Sequence, residues 1–335
     1  MNTYSSAVRV GLAGATGFAG QELLALLSRH PHVRLEMAMS SSADSAARPL
    51  PRLTKIWDGK VEPLNPARLA SGVDVAFLAV PESAAAALAP PLVSAGVRVI
   101  DLSGAFRIRD AAARSQWYPA TGALPAGAAY GLTEYYRDEI RDAALVANPG
   151  CYPTAALLSL LPLAKAGLLD DAEGVVVDAK SGISGAGRAP SDRTHFSENH
   201  GSVSAYGVFK HRHVAEMEQE LRTSVTFVPH LVPLDRGILE TIYAKVPAGT
   251  TAEQVSDAFE RTYGQEPFVR LTGEALPEIK HVAGTNFCDI GWRLDSGSRR
   301  LVIVACLDNL VKGAAGQALQ NFNVACRFEE RTGLL

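Results

Sequence analysis

"VRVGLAGATGFAGQELLALL", residues 8–27, joins an apolar β run to a helical pattern through a glycine-rich loop. Gly11, Gly14, Gly17 and Gly20 lie within this stretch. Glycine lets the backbone turn tightly and approach a phosphate group, and a helix N-terminus attracts anions. The stretch therefore predicts a strand, loop and helix that bind the pyrophosphate of a dinucleotide. A tight turn without a ligand is the alternative, and the position of the loop in a βαβ unit favours the binding site.

The same alternation of strand and helix patterns continues through the first half of the chain. Further β runs cover residues 33–40, 73–80 and 97–103, and helical patterns cover residues 18–29 and 83–95. Continuous apolar strands separated by helices are typical of a parallel sheet covered on both faces. We expect an N-terminal doubly wound, Rossmann-type α/β domain over residues 1–150.

The pattern changes after Cys151. Strand patterns follow at residues 174–180, 225–234, 238–246, 285–294 and 300–307, with turn signals rather than crossover helices between several of them. This predicts an α+β domain with a mixed or antiparallel sheet over residues 151–309. The final helical pattern, residues 310–335, is expected to complete the first domain.

Composition limits the classes of partner. The 335 residues are 47% hydrophobic and 20% charged, with a formal net charge of −3. A basic surface for nucleic acid or an anionic membrane is not indicated, so a small molecule is the expected partner. Four distant cysteines suggest neither a disulfide framework nor a metal site, and no secretion signal or membrane-spanning run is found. We expect a cytoplasmic protein without a bound metal.

The end of the second strand bears on the choice of dinucleotide. It reads "MAMSSSADS", with Ser40, Ser41 and Ser42 where an acidic residue would hold the ribose hydroxyl of NAD. Serine hydroxyls donate to a phosphate and add no negative charge. The sequence therefore favours NADP over NAD, although a simple polar turn explains the serines equally well.

Cys151 follows an Asn-Pro-Gly turn and starts a strongly apolar helical pattern. Unbonded N–H groups and the helix dipole favour a thiolate at such a position. Beside a nicotinamide, a reactive thiol indicates thioester chemistry, in which hydride moves between the acyl carbon and the cofactor. Apolar patterns surround the other three cysteines, which we interpret as core residues: Cys288, Cys306 and Cys326.

An acid/base and an anion-binding residue are also needed. "KHRHVAEMEQEL" offers His211 and His213, of which one is expected to line the site and the other to cap the helix or face solvent. Arg107, Arg188 and Arg212 are candidates for binding anionic groups of a substrate. Arg188 is favoured because the glycine-rich loop before it would expose several N–H groups.

Motifs from one end of the chain to the other resemble those of a known family, the N-acetyl-γ-glutamyl-phosphate reductases within the semialdehyde dehydrogenases. The motifs that carry the resemblance are "GLAGATGFAGQELL", "FLAVPE", "VIDLSGAFRI", "YGLTE", "ANPGCYPTAALL", "DAKSGISGAGR", "HRHVAEMEQEL", "PHLVPLDRGIL" and "DNLVKGAAGQALQN". The resemblance implies NADPH-dependent reduction of N-acetyl-γ-glutamyl phosphate to a semialdehyde in arginine biosynthesis. It also implies a homo-oligomer formed through the sheet of the second domain.

The resemblance assigns roles to individual residues. Cys151 would be the nucleophile and His211 the acid/base, acting as an imidazolium, with His213 as the neighbouring candidate. The cofactor would be held at the pyrophosphate by Gly11, Gly14, Thr16 and Gly17, at the 2′-phosphate by Ser40 and Ser41, and near the nicotinamide and thiol by Ser181, Gly182 and Asn309. Arg107 and Arg188 would bind substrate anions.

Three alternatives stay open at this point. A reductase of the same chemistry would act on aspartyl phosphate or on a carrier-linked aminoadipyl phosphate. A cysteine hydrolase would pair Cys151 with His211 and use the glycine loop only structurally. A nucleotide-sensing regulator would need no chemistry at Cys151.

Overall fold

The computed structural model describes residues 7–41, 46–170 and 173–335. The chain divides into two compact units. The first comprises Met1–Gly150 and Ala314–Leu335, and the second comprises Cys151–Gly313.

A six-stranded, wholly parallel sheet forms the centre of the first unit, in the order β2-β1-β3-β4-β6-β5. Its strands are β1 Val8–Ala13, β2 Val33–Met39, β3 Val75–Leu78, β4 Arg98–Asp101, β5 Ala128–Tyr130 and β6 Leu145–Ala147. Its first five helices are α1 Phe18–Leu27, α2 Pro66–Gly72, α3 Glu82–Ser94, α4 Ala111–Trp117 and α5 Thr133–Asp142. The prediction of a doubly wound α/β fold is confirmed.

Both faces of this sheet are buried, because successive apolar residues of each strand point to opposite sides. Val10 and Phe77 face a core shared with Leu23 of α1. Leu78 faces the other core, which includes Leu88 of α3. This two-sided burial explains why the strands read as continuous apolar runs.

The second unit is built on a seven-stranded mixed sheet, in the order β11-β12-β13-β10-β7-β9-β8. Two of its strand pairs are parallel and the other four are antiparallel. Its strands are β7 Val175–Gly182, β8 Ser204–Ala205, β9 Val225–Val232, β10 Ile238–Lys245, β11 Val269–Gly273, β12 Cys288–Asp295 and β13 Arg300–Leu307. Its helices are α6 Cys151–Lys165, α7 Phe196–Asn199, α8 His213–Leu221 and α9 Ala252–Tyr263. The prediction of a mixed sheet is confirmed.

Helix α6 lies on one face of this sheet, against β10 and β13, and its residues from Tyr152 to Leu163 are buried. The opposite face is more open, and Val176 and Tyr243 expose 36% and 41% of their surface there. After β13 the chain makes a π-helical turn, Val311–Ala315, and then forms α10, Gly316–Ala325. Helix α10 packs against α1 and α5.

Several elements were not predicted from the sequence. They include α2, α4, α5 and α9, and the short strands β5, β6, β8 and β11. Strands β5, β6 and β8 have only two or three residues, which is too few to show the period of two on which such predictions rest. Among the described residues, no helix is long and apolar enough to cross a membrane.

A buried carboxyl group lies near the middle of the second sheet. Glu240 of β10 is fully buried, is flanked by Ala179 and Ala305 on the neighbouring strands, and neither side-chain oxygen has a hydrogen-bond partner among the described residues. Burial raises its pKa well above the ordinary value, because ionisation would place a charge away from water. The folded protein therefore keeps the proton of Glu240 to a higher pH than the unfolded chain does.

This raised pKa predicts a pH-dependent loss of stability. Above the unfolded pKa the unfolded chain releases the proton of Glu240 and the folded chain keeps it, so rising pH favours unfolding. Glu240→Gln removes this effect. We expect the variant to gain about 1.4 kcal/mol over the wild type per pH unit above the unfolded pKa, until the folded pKa is reached. Urea unfolding between pH 4 and 8 measures the difference.

The exposed Glu274 supplies the control, since Glu274→Gln removes a carboxylate of the same unit that is already in water. We expect no pH-dependent gain for that variant. A constant difference between Glu240→Gln and wild type from pH 4 to 8 would contradict the assignment.

Candidate active site

The glycine loop follows β1 in the first unit. Gly14 has φ +89°, and a Cβ there would overlap the carbonyl of Ala79, so only glycine fits. The N–H groups of Gly14 and Ala15 donate to the carbonyl of Met39 at 2.9 and 2.8 Å. Strand β1 lies between β2 and β3, so the loops after β1 and β3 lie on either side of the point where the strand order reverses. Nucleotides bind at this point in open α/β sheets.

The other residues expected at the pyrophosphate lie in three settings. Gly17 is the N-cap of α1 and has no side chain that could bond to the first-turn N–H groups, which is the arrangement that suits a bound anion. Thr16 is half-buried, and its carbonyl accepts from the side chain of Gln21. Gly11 lies inside β1, where a Cβ would crowd Leu69. The close packing of helix α2 against β1 therefore accounts for glycine at position 11.

The serines after β2 are only partly described. Ser40 is buried and its N–H donates to the carbonyl of Glu62 at 2.9 Å, whereas Ser41 is exposed. Ser42 lies outside the described residues.

The side chain of Arg107 is held by hydrogen bonds to backbone carbonyls. Its buried guanidinium donates to the carbonyls of Asn148 at 2.7 Å and Leu102 at 2.8 Å. Burial raises the pKa of nearby Asp101 to about 6, and hydrogen bonds from Ser103 and the charge of Arg107 limit the rise. Arg107 thus braces the loops after β4 and β6, and any role in binding a substrate anion stays a prediction.

In the second unit, Cys151 is the first residue of α6, and its thiol is half-buried. Gly313 lies directly beside it, because a Cβ on Gly313 would be 2.7 Å from the Cβ of Cys151. Real Cβ atoms do not come this close. The absence of a side chain at Gly313 is therefore a condition for the position of the thiol.

Aromatic rings surround His211, and one of them belongs to Tyr152, the residue that follows Cys151. The ring centroid of His211 lies 6.0 Å from that of Tyr152, 5.5 Å from that of Tyr206 and 5.2 Å from that of Phe227. Burial among these rings, and then the charge of Arg212, lowers the pKa of His211 to about 4. The imidazole is therefore neutral near pH 7, and the expected imidazolium is not its resting form.

The location of the proton follows from a backbone contact. The N–H of His213 donates to Nδ1 of His211 at 3.3 Å, so Nδ1 is the unprotonated nitrogen and Nε2 carries the hydrogen. Protonation of Nδ1 would replace this attraction by repulsion between two donors. His211 is therefore a hydrogen-bond donor through Nε2.

The two histidines do not separate as expected. Their ring centroids are 4.7 Å apart, and both rings contact Tyr152. His211 precedes α8 and accepts from the N–H of His213 at the start of the helix, whereas His213 is the first helical residue, and both are half-buried. Nε2 of His213 lies 3.8 Å from a carboxylate oxygen of the buried Glu216.

Two tyrosine hydroxyls complete this part of the site. The hydroxyl of Tyr152 donates to the carbonyl of His230 at 3.2 Å and lies 3.5 Å from the hydroxyl of Tyr206. Burial raises the pKa of Tyr206, and the negative charge of Cys151 raises it further. Sequence reasoning missed Tyr206, although it lies only five positions before His211.

Asn309 connects two loops of the second unit. Its Oδ1 accepts from the N–H of Gly237 at 2.7 Å, and its Nδ2 donates to the hydroxyl of Ser184 at 3.0 Å. Ser181 is buried at the end of β7, and Gly182 lies so close to the backbone of Arg236 that a Cβ would be 2.7 Å from its nitrogen. Asn309, Ser181 and Gly182 are therefore close together, and their contact with a cofactor stays a prediction.

Arg188 follows this loop. The chain makes a 3₁₀ turn at Ile183–Ala186, turns again at Gly187 with φ +86°, and places Arg188 on the surface. Its role in binding a substrate anion stays a prediction. Among the described residues, no group of three or more His, Cys, Asp or Glu side chains is arranged to hold a metal ion.

Asp308 is a further residue that sequence reasoning missed. Its fully buried carboxylate accepts from the backbone N–H groups of Gly284, Leu310 and Val311 at 2.6, 2.8 and 3.1 Å. The guanidinium of Arg236 lies 3.4 Å away. Only its place beside Asn309 in the motif "DNLVKG" pointed to it.

Comparison with known proteins identifies the class. The family model "Semialdehyde dehydrogenase, NAD binding domain" matches residues 9–143, and "Semialdehyde dehydrogenase, dimerisation domain" matches residues 151–309. The chain thus belongs to the semialdehyde dehydrogenases, oxidoreductases that use a nicotinamide cofactor.

Full-length relatives identify the member of that class. The N-acetyl-γ-glutamyl-phosphate reductase of Syntrophobacter fumaroxidans is 46% identical over 337 residues, and that of Bacillus subtilis is 43% identical over 339 residues. Both alignments cover 98% of this chain and 98% of the relative. The chain belongs to the N-acetyl-γ-glutamyl-phosphate reductase family, as the resemblance implied.

Solved structures share the fold at lower identity. Aspartate semialdehyde dehydrogenase II from Vibrio cholerae has a TM-score of 0.74 and 21% identity, over 96% of this chain and 99% of that chain. Aspartate semialdehyde dehydrogenase with NADP from Candida albicans has a TM-score of 0.69 and 17% identity, over 96% and 99%. At these identities the likeness shows the fold alone.

Proposed function

We propose that the chain reduces N-acetyl-γ-glutamyl phosphate with NADPH, giving N-acetylglutamate 5-semialdehyde and phosphate as a step of arginine biosynthesis. The observation that carries the proposal is a half-buried thiol, Cys151, at the start of a buried helix and beside the His211 cluster. Relatives that carry the corresponding enzyme name match nearly the whole chain. An enzyme acting on an aspartyl or carrier-linked acyl phosphate would use the same thiol. An assay with each substrate distinguishes these alternatives from the proposed reaction.

The thiolate of Cys151 attacks the acyl carbon of the substrate. A C–S bond forms, the C–O bond to the phosphoryl group breaks, and its electron pair leaves with phosphate, which takes up a proton. Bound NADPH would supply the hydride that reduces the resulting thioester. The tetrahedral carbon then expels the thiolate of Cys151, and the aldehyde is released.

His211 supports this chemistry as a neutral donor. Its Nε2–H group is directed by the backbone bond to Nδ1, and it donates to the acyl oxygen when that oxygen becomes negative. A neutral imidazole suits this role because it does not need to be protonated first, and its pKa of about 4 keeps it neutral throughout the neutral range. Arg188 and Arg107 stay candidates for the anionic groups of the substrate.

The first unit fits the cofactor. The Gly14 turn, Thr16 and the uncapped start of α1 at Gly17 would hold the pyrophosphate. Ser40 and Ser41 would donate to a 2′-phosphate, which favours NADPH over NADH. The observation that supports this fit is the turn at Gly14, where any side chain would overlap the carbonyl of Ala79.

We also propose a homo-oligomer formed through the open face of the second sheet. Val176 and Tyr243 are apolar and partly exposed on that face, and the matching family model is described as a dimerisation domain. Burial of such a face in a second copy removes apolar surface from water. A charge at Tyr243 would oppose this.

Light scattering on Tyr243→Glu tests the oligomer. We expect the variant to fall toward the monomer mass of 35.5 kDa at concentrations where the wild type is a dimer or tetramer. Leu276→Glu is the matched control, because Leu276 is exposed in a loop outside the sheet. A monomeric wild type, or a Tyr243→Glu variant of unchanged mass, would contradict the proposal.

The reverse assay tests the reaction. Purified protein is supplied with N-acetylglutamate semialdehyde, phosphate and NADP, and formation of NADPH is followed, with aspartate semialdehyde and NAD in parallel arms. We expect Cys151→Ala to lower turnover by roughly 10⁴-fold or more, since it removes the nucleophile, while NADP binding stays near normal. Cys326→Ala, which removes a buried thiol of the first unit, should retain activity. A cofactor-binding protein that rejects the acetylated semialdehyde would overturn the proposal.

A pair of variants tests which histidine acts. We expect His211→Asn to lower kcat by about 10²- to 10⁴-fold, because it removes the donor from Nε2, and His213→Asn to lower kcat by less than about tenfold. Because the pKa of His211 is about 4, its titration should add no acidic limb to kcat/KM between pH 5.5 and 8. A larger loss in His213→Asn would reverse the assignment.

A further inference from the structure

Arg193 lies near the site and has no role in the function described so far. Its guanidinium carbon is 5.2 Å from the ring centroid of Tyr206, in a cation–π contact. The turn that carries it, Asp192–Thr194, is held by Ser191, whose N–H and hydroxyl both lie 3.0 Å from the hydroxyl of Thr194. The backbone at Arg193 is therefore fixed by local hydrogen bonds.

The guanidinium of Arg193 differs from the other arginines considered so far. Arg107 donates to backbone carbonyls and Arg236 faces the carboxylate of Asp308. Among the described residues, Arg193 forms neither an ion pair nor a hydrogen bond through its side chain, and its contact with Tyr206 is a cation–π contact. The planar N–H donors of a guanidinium suit a bidentate contact with an anion.

Tyr206 connects this cation with the nucleophile. Its hydroxyl lies 3.5 Å from that of Tyr152, which directly follows Cys151, and its ring contacts His211. The pKa of Tyr206 is raised by the charge of Cys151 and lowered by the charge of Arg193, so both charges lie near the same hydroxyl. Tyr206 thus lies near both the thiol of Cys151 and the guanidinium of Arg193.

We propose that Arg193 binds the phosphoryl group of the acyl phosphate as Cys151 attacks, and inorganic phosphate in the reverse direction. This inference rests on the proposed function. The phosphoryl group is joined through one oxygen to the carbon that the thiol attacks, whereas the α-carboxylate of the substrate is several bonds farther away. A cation that contacts Tyr206, the neighbour of Tyr152, is therefore better placed for the phosphoryl group than for the α-carboxylate.

The contribution of Arg193 is electrostatic. When the C–O bond breaks, its electron pair goes to the departing phosphate, whose negative charge grows as the C–S bond forms. A guanidinium presents two parallel N–H groups to two phosphate oxygens, and its charge offsets this increase. Arg193 forms no bond to the acyl carbon and holds no transferred proton.

Steady-state kinetics in the reverse direction test the assignment. Charge-assisted hydrogen bonds are worth 1.5–3 kcal/mol, or roughly 10- to 100-fold in affinity, and the exposure of Arg193 places the effect near the lower end. We expect Arg193→Met to raise the KM for phosphate about tenfold, while the KM values for the semialdehyde and NADP change less than about twofold. Arg193→Lys should recover part of the loss, because it keeps the charge but not the paired donors. Lys210→Met removes another exposed cation of the same unit and should leave the KM for phosphate unchanged.

A second measurement does not need turnover. Iodoacetamide alkylates Cys151, and inorganic phosphate bound at Arg193 should slow this reaction in the wild type and in Lys210→Met but not in Arg193→Met. Equal protection in Arg193→Met and wild type, or no protection of the wild type, would overturn the proposal. A rise in the KM for the semialdehyde instead of phosphate would assign Arg193 to the α-carboxylate and overturn it as well.

The two measurements separate the inference from the proposed function. If the wild type is inactive with the acetylated semialdehyde but phosphate protects its thiol through Arg193, the proposed function fails and the phosphate site stands. If the wild type is active and Arg193→Met has unchanged constants and unchanged protection, the phosphate site fails alone.

Discussion

The second unit depends on one buried charge, the carboxylate of Asp308. An isolated carboxylate is costly to bury, and here hydrogen bonds from the backbone and a nearby guanidinium offset that cost. Its donors come from three separate segments of the chain, at Gly284, at Leu310 and Val311, and at Arg236. Removal of this carboxylate would leave all of them without their partner.

The arrangement around Asp308 extends to the thiol through its neighbours in sequence. Asn309 binds the loops at Ser184 and Gly237, so the end of β7 and the start of β10 are held together. The N–H of Gly313 donates to the carbonyl of Asp308 at 2.9 Å, and Gly313 touches Cys151. The thiol is therefore positioned by a short segment that follows β13 as well as by its own helix.

Much of the fold could be predicted from the sequence, because long apolar strands and glycine loops have strong local signals. The loop at Gly14 and the start of a helix at Cys151 are examples. The residues missed are those whose function depends on distant partners. Nothing in the local pattern shows that Tyr206 lies beside Tyr152, or that the guanidinium of Arg107 meets the carbonyl of Asn148. The neutral state of His211 could not be predicted from the local sequence either, because it results from burial among rings of separate segments.

The contact between Gly313 and Cys151 has a consequence for protein engineering. Gly313 lies in an apolar, helix-like segment, and substitution by alanine would ordinarily be regarded as a stabilising helix change. Here the added methyl group would overlap Cys151 and displace its thiol, so the variant would gain helix propensity but lose the position of the nucleophile. A library that varies the C-terminal segment to raise thermal stability can begin after Ala314, and position 313 belongs with the residues of the active site.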